Sequence, residues 1–273
     1  YVISLLLDLK AALSMSSGMF GMLSPGRNPL IVLGMTYGNA PWWTILTATY
    51  LHGGLLHILF NVMWIRQLGP DVGHLFGSAR YFIIYTIGGA FGFVLSNLLS
   101  GYPTVGASGA IFGLMAAIIV YGRNAKTQMA AVMTRQMWQW AIVLFVMGFL
   151  MSGVNNWAHL GGFIGGWVAA QILVSGAGRR ECRITILVAR LCLGLTFLGF
   201  ALSIIEYFPL ILPSSPHPHI VMPGRKILAR SCDPFHRQSN VVDPLPVVCK
   251  RHTQGAITCL NDGRIVKRTI ANN

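Results

Sequence analysis

Charged residues are scarce in this chain of 273 residues, which has 10% Asp, Glu, Lys and Arg against 54% hydrophobic residues. A soluble domain carries about 25% charged residues, so the composition excludes an ordinary water-soluble globule. It also excludes a disordered chain, which needs low hydrophobicity and high charge. Several apolar runs approach the roughly 20 residues that cross a bilayer, and they predict an all-α polytopic membrane protein.

Acidic side chains are the rarest charged group, with 7 Asp and Glu against 20 Lys and Arg and a net charge of +13. Most basic residues of the first 212 positions lie in short connections between apolar runs, which is typical of cytoplasmic loops in membrane proteins. No motif of RNA or DNA binding accompanies them. We therefore predict a lipid bilayer as partner and no nucleic acid.

Motifs of metal and redox sites are absent as well. The five cysteines form no C-x-x-C and no Cys/His spacing typical of zinc. The H-E-x-x-H of membrane metalloproteases does not occur, nor does a pair of aspartates within apolar segments. We therefore predict chemistry that uses neither a metal nor a cofactor.

Seven apolar segments predict seven membrane-spanning helices. They cover approximately residues 1–7, 52–68, 80–99, 108–121, 136–151, 157–174 and 185–207. The chain begins at Tyr1 rather than at Met and its first segment is short, so we expect the first helix to be truncated. The basic, proline-containing tail over residues 213–273 shows little periodicity, and we expect it to be poorly ordered.

The connections between these segments alternate in charge. Three of them are basic and contain Arg66 with Arg80, Arg123 with Lys126 and Arg135, and Arg179 with Arg180 and Arg183. Residues 100–105 and 152–156 contain no Lys or Arg. Because basic loops stay on the cytoplasmic side, we expect the two uncharged connections on the outer side. The side on which the tail lies stays open.

Polar side chains within apolar segments are candidate functional groups, because a polar group in hydrocarbon is costly and usually faces a cavity. They are His52, His57, Asn61, Asn97, Ser108, Asn156 and His159. His57 and Asn61 are four residues apart, so both project from one helix face. Two interpretations stay open for this pair: a hydrogen bond between helices that fixes packing, or two neutral donors aimed into a wet cavity.

Ser108 opens an apolar helix directly after an uncharged connection. The first N–H groups of a helix have no partner within it and carry the positive end of its dipole. A hydroxyl there can attack a carbonyl carbon while nearby N–H groups stabilise the oxyanion. Gly106 gives the backbone freedom to turn before the helix. The alternative is that Ser108 is an N-cap or a small packing residue.

His159 lies near the outer end of another helix, at much the same depth as Ser108. Gly162 and Gly166 recur four residues apart after it and predict close helix packing, and the serine helix carries a similar glycine pair. If the two pairs face each other, His159 reaches the Ser108 hydroxyl, which is the geometry of a nucleophile and its base. The alternative for a lone histidine in a membrane is packing or proton relay.

A carboxylate that could complete a catalytic triad is missing. Asp71 is the only acidic residue between positions 11 and 180, and it lies in a cytoplasmic connection. Any catalysis must therefore use a Ser–His dyad, with another group orienting the imidazole. Phe112, one turn after Ser108, is placed to stack on that ring, and Asn156 is a second candidate.

These motifs, over roughly residues 30–176, together resemble the rhomboid family of intramembrane serine proteases. The resemblance implies a rhomboid domain over residues 1–176 with a six-helix bundle, one extra transmembrane helix over 177–212, and the tail over 213–273. It implies Ser108 as the nucleophile and His159 as the general base. It also implies that His57 and Asn61 join the Ser108 N–H in the oxyanion hole.

A second group of residues is predicted to support the site. It consists of His52, Gly106, Phe112, Asn156, Gly162 and Gly166. In the resemblance, His52 matches a supporting histidine and Phe112 matches the aromatic ring that packs on the catalytic imidazole.

The function implied is that of a serine endopeptidase that cleaves single-pass transmembrane proteins near the outer face of a bacterial plasma membrane. The alternative is a catalytically inactive relative that binds membrane clients. Such relatives usually lack the serine or the histidine, whereas this chain has both. A channel or transporter is less favoured, because the polar groups cluster at one depth.

Overall fold

Helices dominate the described part of the first 208 residues. The computed structural model describes residues 1–9, 23–125, 127–151, 153–208, 248–251, 257–261 and 264–267. The helices are α1 (Val2–Leu6), α2 (Arg27–Val32), α3 (Thr44–Thr47), α4 (Leu55–Phe76), α5 (Ser78–Leu99), α6 (Ser108–Ala125), α7 (Gln128–Leu150), α8 (Asn156–Leu173) and α9 (Arg183–Tyr207). Short 3-10 turns, Ala48–Tyr50 and Val174–Gly176, follow α3 and α8.

Helix α6 is the centre of the bundle and packs against α4, α5, α7 and α8. Its residues from Gly109 to Val120 are buried on every side, as expected for a helix surrounded by other helices. Leu68, Val72 and Phe76 of α4 are fully buried in the same core. Ser108 therefore begins the helix around which the others pack.

Glycines bring α5, α6 and α8 into close contact. A Cβ at Gly162 of α8 would overlap the Gly109 carbonyl of α6, and Gly166 packs on α6 in the same way one turn later. A Cβ at Gly92 of α5 would lie 2.6 Å from the Ala158 carbonyl oxygen of α8. Because small residues let backbones touch, the first turns of α6 and α8 lie side by side.

The number of membrane-capable helices differs from the prediction. Within the described residues, α5, α6, α8 with its 3-10 turn, and α9 are long and apolar enough to cross a membrane. The segment 44–50 and α4 add a fifth span if they count as one, although they are bent by 92° at the break between them. The helical membrane class agrees with the prediction, but the count of six helices plus one, with a truncated first helix, is not confirmed.

Helices α1 and α7 account for this difference. Helix α1 contains five residues. Helix α7 begins at Gln128, earlier than the predicted start, and its first half contains Arg135 and Gln136. These polar residues lower the apolar character of a helix that is otherwise long enough to span a bilayer.

The connection before α9 is bound to the junction of α4 and α5. The Glu181 carboxylate accepts hydrogen bonds from the N–H groups of Ala79 and Arg80 at 2.7 and 3.0 Å, which the first turn of α5 leaves without an internal partner. The buried Arg80 guanidinium donates to the carbonyl oxygens of Phe76 and Arg179 at 2.7 and 3.2 Å. These bonds tie the start of the last long helix to the bundle.

Three short strands lie in a second compact unit, Ser214–Asn273. Strands β1 (Val248–Arg251), β2 (Ile257–Asn261) and β3 (Arg264–Lys267) pair in this order as an antiparallel sheet. A poorly ordered tail is expected from the sequence over residues 213–273. In β2, β-branched residues such as Ile257 and Thr258 favour extended backbone. The remainder of the predicted tail lies outside the described residues.

Candidate active site

The turn that leads into Ser108 is formed at Gly106. Its φ of +129° lies in the region that favours glycine. The Gly106 N–H donates to the Ala48 carbonyl oxygen at 2.9 Å, which holds the turn against the 3-10 turn after α3. Ser108 is the first residue of α6. The N–H groups of this first turn are therefore not used by the helix itself.

The side chains of Ser108 and His159 are in hydrogen-bond contact. Ser108 Oγ and His159 Nε2 lie 3.0 Å apart, although the two residues are 51 positions apart in the chain. The Phe112 ring stacks on the buried imidazole, with ring centroids 4.5 Å apart and planes at 15°. A hydroxyl at this distance from a ring nitrogen can transfer its proton as it attacks a carbonyl carbon.

The contact with Ser108 also determines which nitrogen of His159 must carry the ring proton. For Nε2 to accept the hydroxyl hydrogen, the neutral ring must carry its hydrogen on Nδ1. Nδ1 is buried and has no hydrogen-bond partner among the described residues. The imidazole is therefore oriented by the Phe112 ring and by helix packing, in place of an acidic side chain.

His57 presents its ring to the turn at Gly106. Its Nδ1 accepts a hydrogen bond from the Gly53 N–H at 3.3 Å, so the neutral ring carries its proton on Nε2. A Cβ at Gly106 would lie 2.6 Å from that Nε2. An imidazole N–H thus lies beside the backbone that leads into Ser108, and only a residue without a side chain fits at the turn.

Asn61 and His52 both contact His57, in different ways. The buried Asn61 amide donates to the His57 carbonyl oxygen at 2.7 Å, which uses one of its two N–H groups. The rings of His52 and His57 meet edge to face with centroids 5.1 Å apart. Both ring nitrogens of His52 are buried without a hydrogen-bond partner within the described part of the chain. His52 therefore restrains the His57 ring by packing.

Asn156, the second candidate for orienting the His159 imidazole, has its side chain directed away from that ring. Its side-chain oxygen lies against Gly148 of α7 and is buried without a hydrogen-bond partner among the residues described. The side chain thus points toward α7 and makes no hydrogen bond to His159. Of the two predicted orienting groups, the structure places only Phe112 against the ring.

Asn155 is absent from the sequence predictions, yet it holds the start of α8. Its side-chain oxygen accepts hydrogen bonds from the N–H groups of Trp157 and Ala158 at 3.1 and 3.4 Å, which is an N-cap. Its amide nitrogen also donates to three hydroxyl groups at the end of α5 and in the connection after it. These belong to Ser96, Ser100 and Thr104, at 2.7, 3.1 and 3.0 Å. An asparagine directly before an apolar helix is the signal that identifies such a cap.

The site is made of neutral groups: a hydroxyl, imidazole rings, an amide and backbone N–H groups. In the described ranges, no group of three or more His, Cys, Asp or Glu side chains could hold a metal ion. The arrangement is therefore suited to nucleophilic attack assisted by a base, with donors ready for a developing negative charge.

Comparison with known proteins identifies the family. A family model described as the Rhomboid domain matches residues 39–176, a range that contains Ser108, His159 and the residues that surround them. The chain belongs to the rhomboid family. The match ends before α9.

Relatives of this rhomboid chain occur in bacteria, plants and fungi. The chain is 32% identical to rhomboid protease GluP of Bacillus subtilis over 161 residues, which are 58% of this chain and 32% of GluP. It is 32% identical to YdcA of the same organism over 147 residues, 52% of this chain and 72% of YdcA. RHOMBOID-like protein 9, chloroplastic, of Arabidopsis thaliana is 27% identical over 199 residues, 66% of this chain and 45% of the plant protein.

The alignments differ in how much of each relative they include. The chain spans about a third of the length of GluP and less than half of the plant protein. Family membership and the apolar helices together identify this rhomboid as an integral membrane protein with transmembrane helices.

Proposed function

We propose that this rhomboid is an intramembrane serine endopeptidase that cleaves single-pass transmembrane proteins near the outer membrane face. The observation that carries the proposal is the 3.0 Å contact between Ser108 Oγ and His159 Nε2 at the first residue of α6. A hydroxyl, a base and unused N–H donors at one point are what acyl transfer requires. The relationship to rhomboid protease GluP supports the same activity.

Acylation begins when Ser108 Oγ attacks the carbonyl carbon of the scissile peptide bond. His159 Nε2 takes the hydroxyl proton, so the ring becomes imidazolium while the carbonyl oxygen becomes an oxyanion. His159 then gives that proton to the leaving amine as the C–N bond breaks, which leaves an ester on Ser108. A water molecule attacks the ester, its proton passes to His159, and His159 returns it to Ser108 Oγ as the acid product leaves.

The oxyanion binds to three donors in this mechanism. They are the Ser108 backbone N–H, the Nε2–H of His57 and the second side-chain N–H of Asn61. The hydrogen bond from Gly53 N–H to His57 Nδ1 supports this role, because it leaves the ring proton on the nitrogen that faces the turn at Gly106. A preorganised donor of this kind contributes roughly 10²–10³-fold to the rate of acyl transfer.

A transmembrane segment enters this site sideways from lipid. Helices α4 and α7 expose apolar side chains to the surroundings, such as Phe60 and Phe149 at 53% and 71% exposure, and these surfaces suit the approach of an apolar transmembrane segment. The peptide bonds of an intact helix are covered by their own hydrogen bonds. The substrate must therefore unwind locally. The resemblance of this chain to the rhomboid family favours small substrate residues before the scissile bond.

The inactive, client-binding alternative is not favoured. A chain that only binds clients does not need the hydroxyl and the imidazole in contact, whereas here Ser108 and His159 are within hydrogen-bond distance. A fluorophosphonate probe distinguishes the two functions, because it reacts only with an activated serine. Labelling that depends on Ser108 supports the protease.

The decisive experiment is cleavage of a single-pass model substrate by the full chain in liposomes. Ser108→Ala is expected to lower kcat/KM by about 10⁴-fold or more, because it removes the nucleophile. Ser175→Ala is the matched control, since Ser175 lies in the 3-10 turn at the opposite end of α8. Equal rates for Ser108→Ala and the unmodified chain would eliminate the proposed nucleophile.

We also place the protein in the bacterial plasma membrane. GluP and YdcA, two of its relatives, are proteins of Bacillus subtilis. The uncharged connection before Ser108 and the basic connection after α6 support an orientation with the site near the outer face. Fractionation of a bacterial host, with outer and inner markers, tests the location.

A further inference from the structure

A cationic pocket lies between α6 and α7, at the end of α6 opposite the candidate active site. It is an open pocket of about 510 Å³, and its lining includes the exposed Arg123 of α6 and Arg135, Trp138 and Gln139 of α7. With a rise of 1.5 Å per residue, Arg123 is about 22 Å from Ser108 along the helix. The pocket is therefore separate from the catalytic residues proposed above.

The positive charge of this pocket is not balanced by the helices that form it. No Asp or Glu occurs in the sequence between Asp71 and Glu181. The Arg123 guanidinium lies over the Trp167 ring, with its central carbon 5.5 Å from the ring centroid. Stacking on an aromatic face holds a guanidinium in place and leaves its N–H edges available to an anion.

An apolar groove adjoins the pocket and shares Trp138 with it. The groove encloses about 290 Å³ between α7 and α8, and its other lining residues are Phe163, Ile164, Trp167 and Val168. Every one of these side chains is apolar or aromatic. A cationic pocket that continues into an apolar groove is shaped for an amphiphile with an anionic head and an acyl chain.

We propose that this pocket and groove form a binding site for a phospholipid with an anionic headgroup. Arg123 and Arg135 bind the phosphate, for which the guanidinium fork is well matched. Gln139 donates to a further headgroup oxygen, and the acyl chain lies along Trp138 into the groove. Basic pockets between transmembrane helices on the cytoplasmic side bind such headgroups.

The position of the site gives the lipid a structural consequence. Helix α7 packs mainly against α6 and only slightly against α8. The Trp138 ring of α7 contacts the Phe163 ring of α8, with centroids 5.3 Å apart, so an acyl chain in the groove lies over this pair of rings and covers the contact between the two helices. This binding does not depend on the proposed proteolytic activity, and it is measured without a substrate.

Tryptophan quenching by brominated lipids tests the proposal with the full chain in vesicles. Bromine on an acyl chain quenches tryptophans that it contacts, and Trp138 and Trp167 line the groove. We expect brominated phosphatidylglycerol to quench more strongly than brominated phosphatidylcholine at the same mole fraction. The preference is the ratio of the apparent binding constants for the anionic and the neutral lipid. In the double variant Arg123→Gln with Arg135→Gln, this ratio is expected to fall about 30-fold, or roughly fivefold for each arginine.

Two further variants complete the design. Arg66→Gln removes an exposed charge of α4 that lies outside the pocket, so its preference for the anionic lipid is expected to stay unchanged. Trp138→Phe keeps an aromatic ring at the site but removes its fluorescence, so it is expected to reduce the quenching by the anionic lipid more than the quenching by phosphatidylcholine. This variant decides the question even if the double glutamine variant does not fold.

The results that overturn the proposal are distinct. Equal quenching by the two lipids, an unchanged preference in the double variant, or an unchanged difference between the two lipids in Trp138→Phe each contradict a phospholipid at this place. Inorganic phosphate is added at the same concentration as the anionic lipid. Loss of the preference under this condition identifies an anion site without an acyl chain. Loss on adding an uncharged transmembrane helix identifies a groove for helices instead.

Discussion

Gly106 couples the backbone of the candidate site to its electrostatics. Its φ of +129° turns the chain into α6, and its missing side chain leaves room for His57 Nε2. A methyl group at this position would strain the turn and push away the N–H that is proposed to bind the oxyanion. Gly106 thus fixes the positions of both the proposed nucleophile, Ser108, and the proposed oxyanion donor, His57.

The first prediction concerns Gly106→Ala. We expect at least about a 100-fold loss of kcat/KM, since one preorganised donor contributes that much. The free energy of unfolding is expected to fall by about 1–3 kcal/mol from backbone strain. Substrate cleavage in liposomes and thermal unfolding in detergent measure the two effects.

Gly153→Ala is the control for strain alone. Gly153 also has a positive φ, of +85°, but no atom lies within 4 Å of the Cβ position. It is expected to lose stability while keeping nearly full activity. Equal losses of activity in both variants would mean that the effect at Gly106 is strain and not displacement of His57.

The two asparagines at the start of α8 show why some site residues are not predicted from the sequence. Asn155 and Asn156 are equally polar and lie four and three residues before His159 in the chain. The N-cap side chain folds back onto the first turn, whereas the next residue points about 100° further round the helix. Which one caps depends on a helix boundary that a sequence places only within a residue or two. The proximity of Ser108 and His159 was predictable because paired glycines indicate where helices touch.

Glycine contacts beside the site join three helices, α5, α6 and α8, and the sequence predicted such contacts for α6 and α8. The paired glycines of α6 and α8 were recognised because each follows a candidate catalytic residue. Gly88 and Gly92 of α5 contact both helices, but no functional residue next to them draws attention to their spacing. The start of α7 at Gln128 was not predicted for another reason. Polar residues lower the mean hydropathy of the first half of this helix.

The second prediction concerns the close contact between α6 and α8. Gly162→Ala adds a Cβ that overlaps the Gly109 carbonyl of α6. Overpacking of this kind is expected to cost about 1–3 kcal/mol in the free energy of unfolding. The forced separation of α6 and α8 is expected to lower kcat/KM by roughly 100-fold, because a shift of about 1 Å between reacting groups has that effect.

Gly194→Ala is the matched control within a long apolar helix. No atom lies within 4 Å of its Cβ position in α9, so the change is expected to raise stability slightly through the better helix propensity of alanine. Thermal unfolding and cleavage are measured for both variants. Full activity in Gly162→Ala would show that the spacing of α6 and α8 does not control the Ser108–His159 contact.

Across the whole molecule, the two ends of α6 carry different kinds of side chain. Ser108 begins the helix among neutral groups, and Arg123 ends it beside Arg135 and near the basic connections. The sequence predicted this asymmetry from charge alone, because loop charge follows the sides of a membrane. The sequence could not predict the number of spans. Residues 44–50 and α4 are bent by 92° at the break between them, and hydropathy averaged along the chain does not detect such a bend.

The third prediction tests this arrangement through cysteine accessibility. Tyr102 is 73% exposed in the connection before α6, and Cys182 is a free, exposed cysteine before α9. Helices α6, α7 and α8 lie between them, so if all three cross, the two positions are on opposite sides. The three tail cysteines are first replaced by serine. A membrane-impermeant maleimide applied to intact cells is then expected to label Tyr102→Cys. Cys182 is expected to be labelled only after the cells are permeabilised. The reverse pattern contradicts the orientation. Labelling of both positions from one side would instead show that α7, with its polar first half, does not cross the membrane.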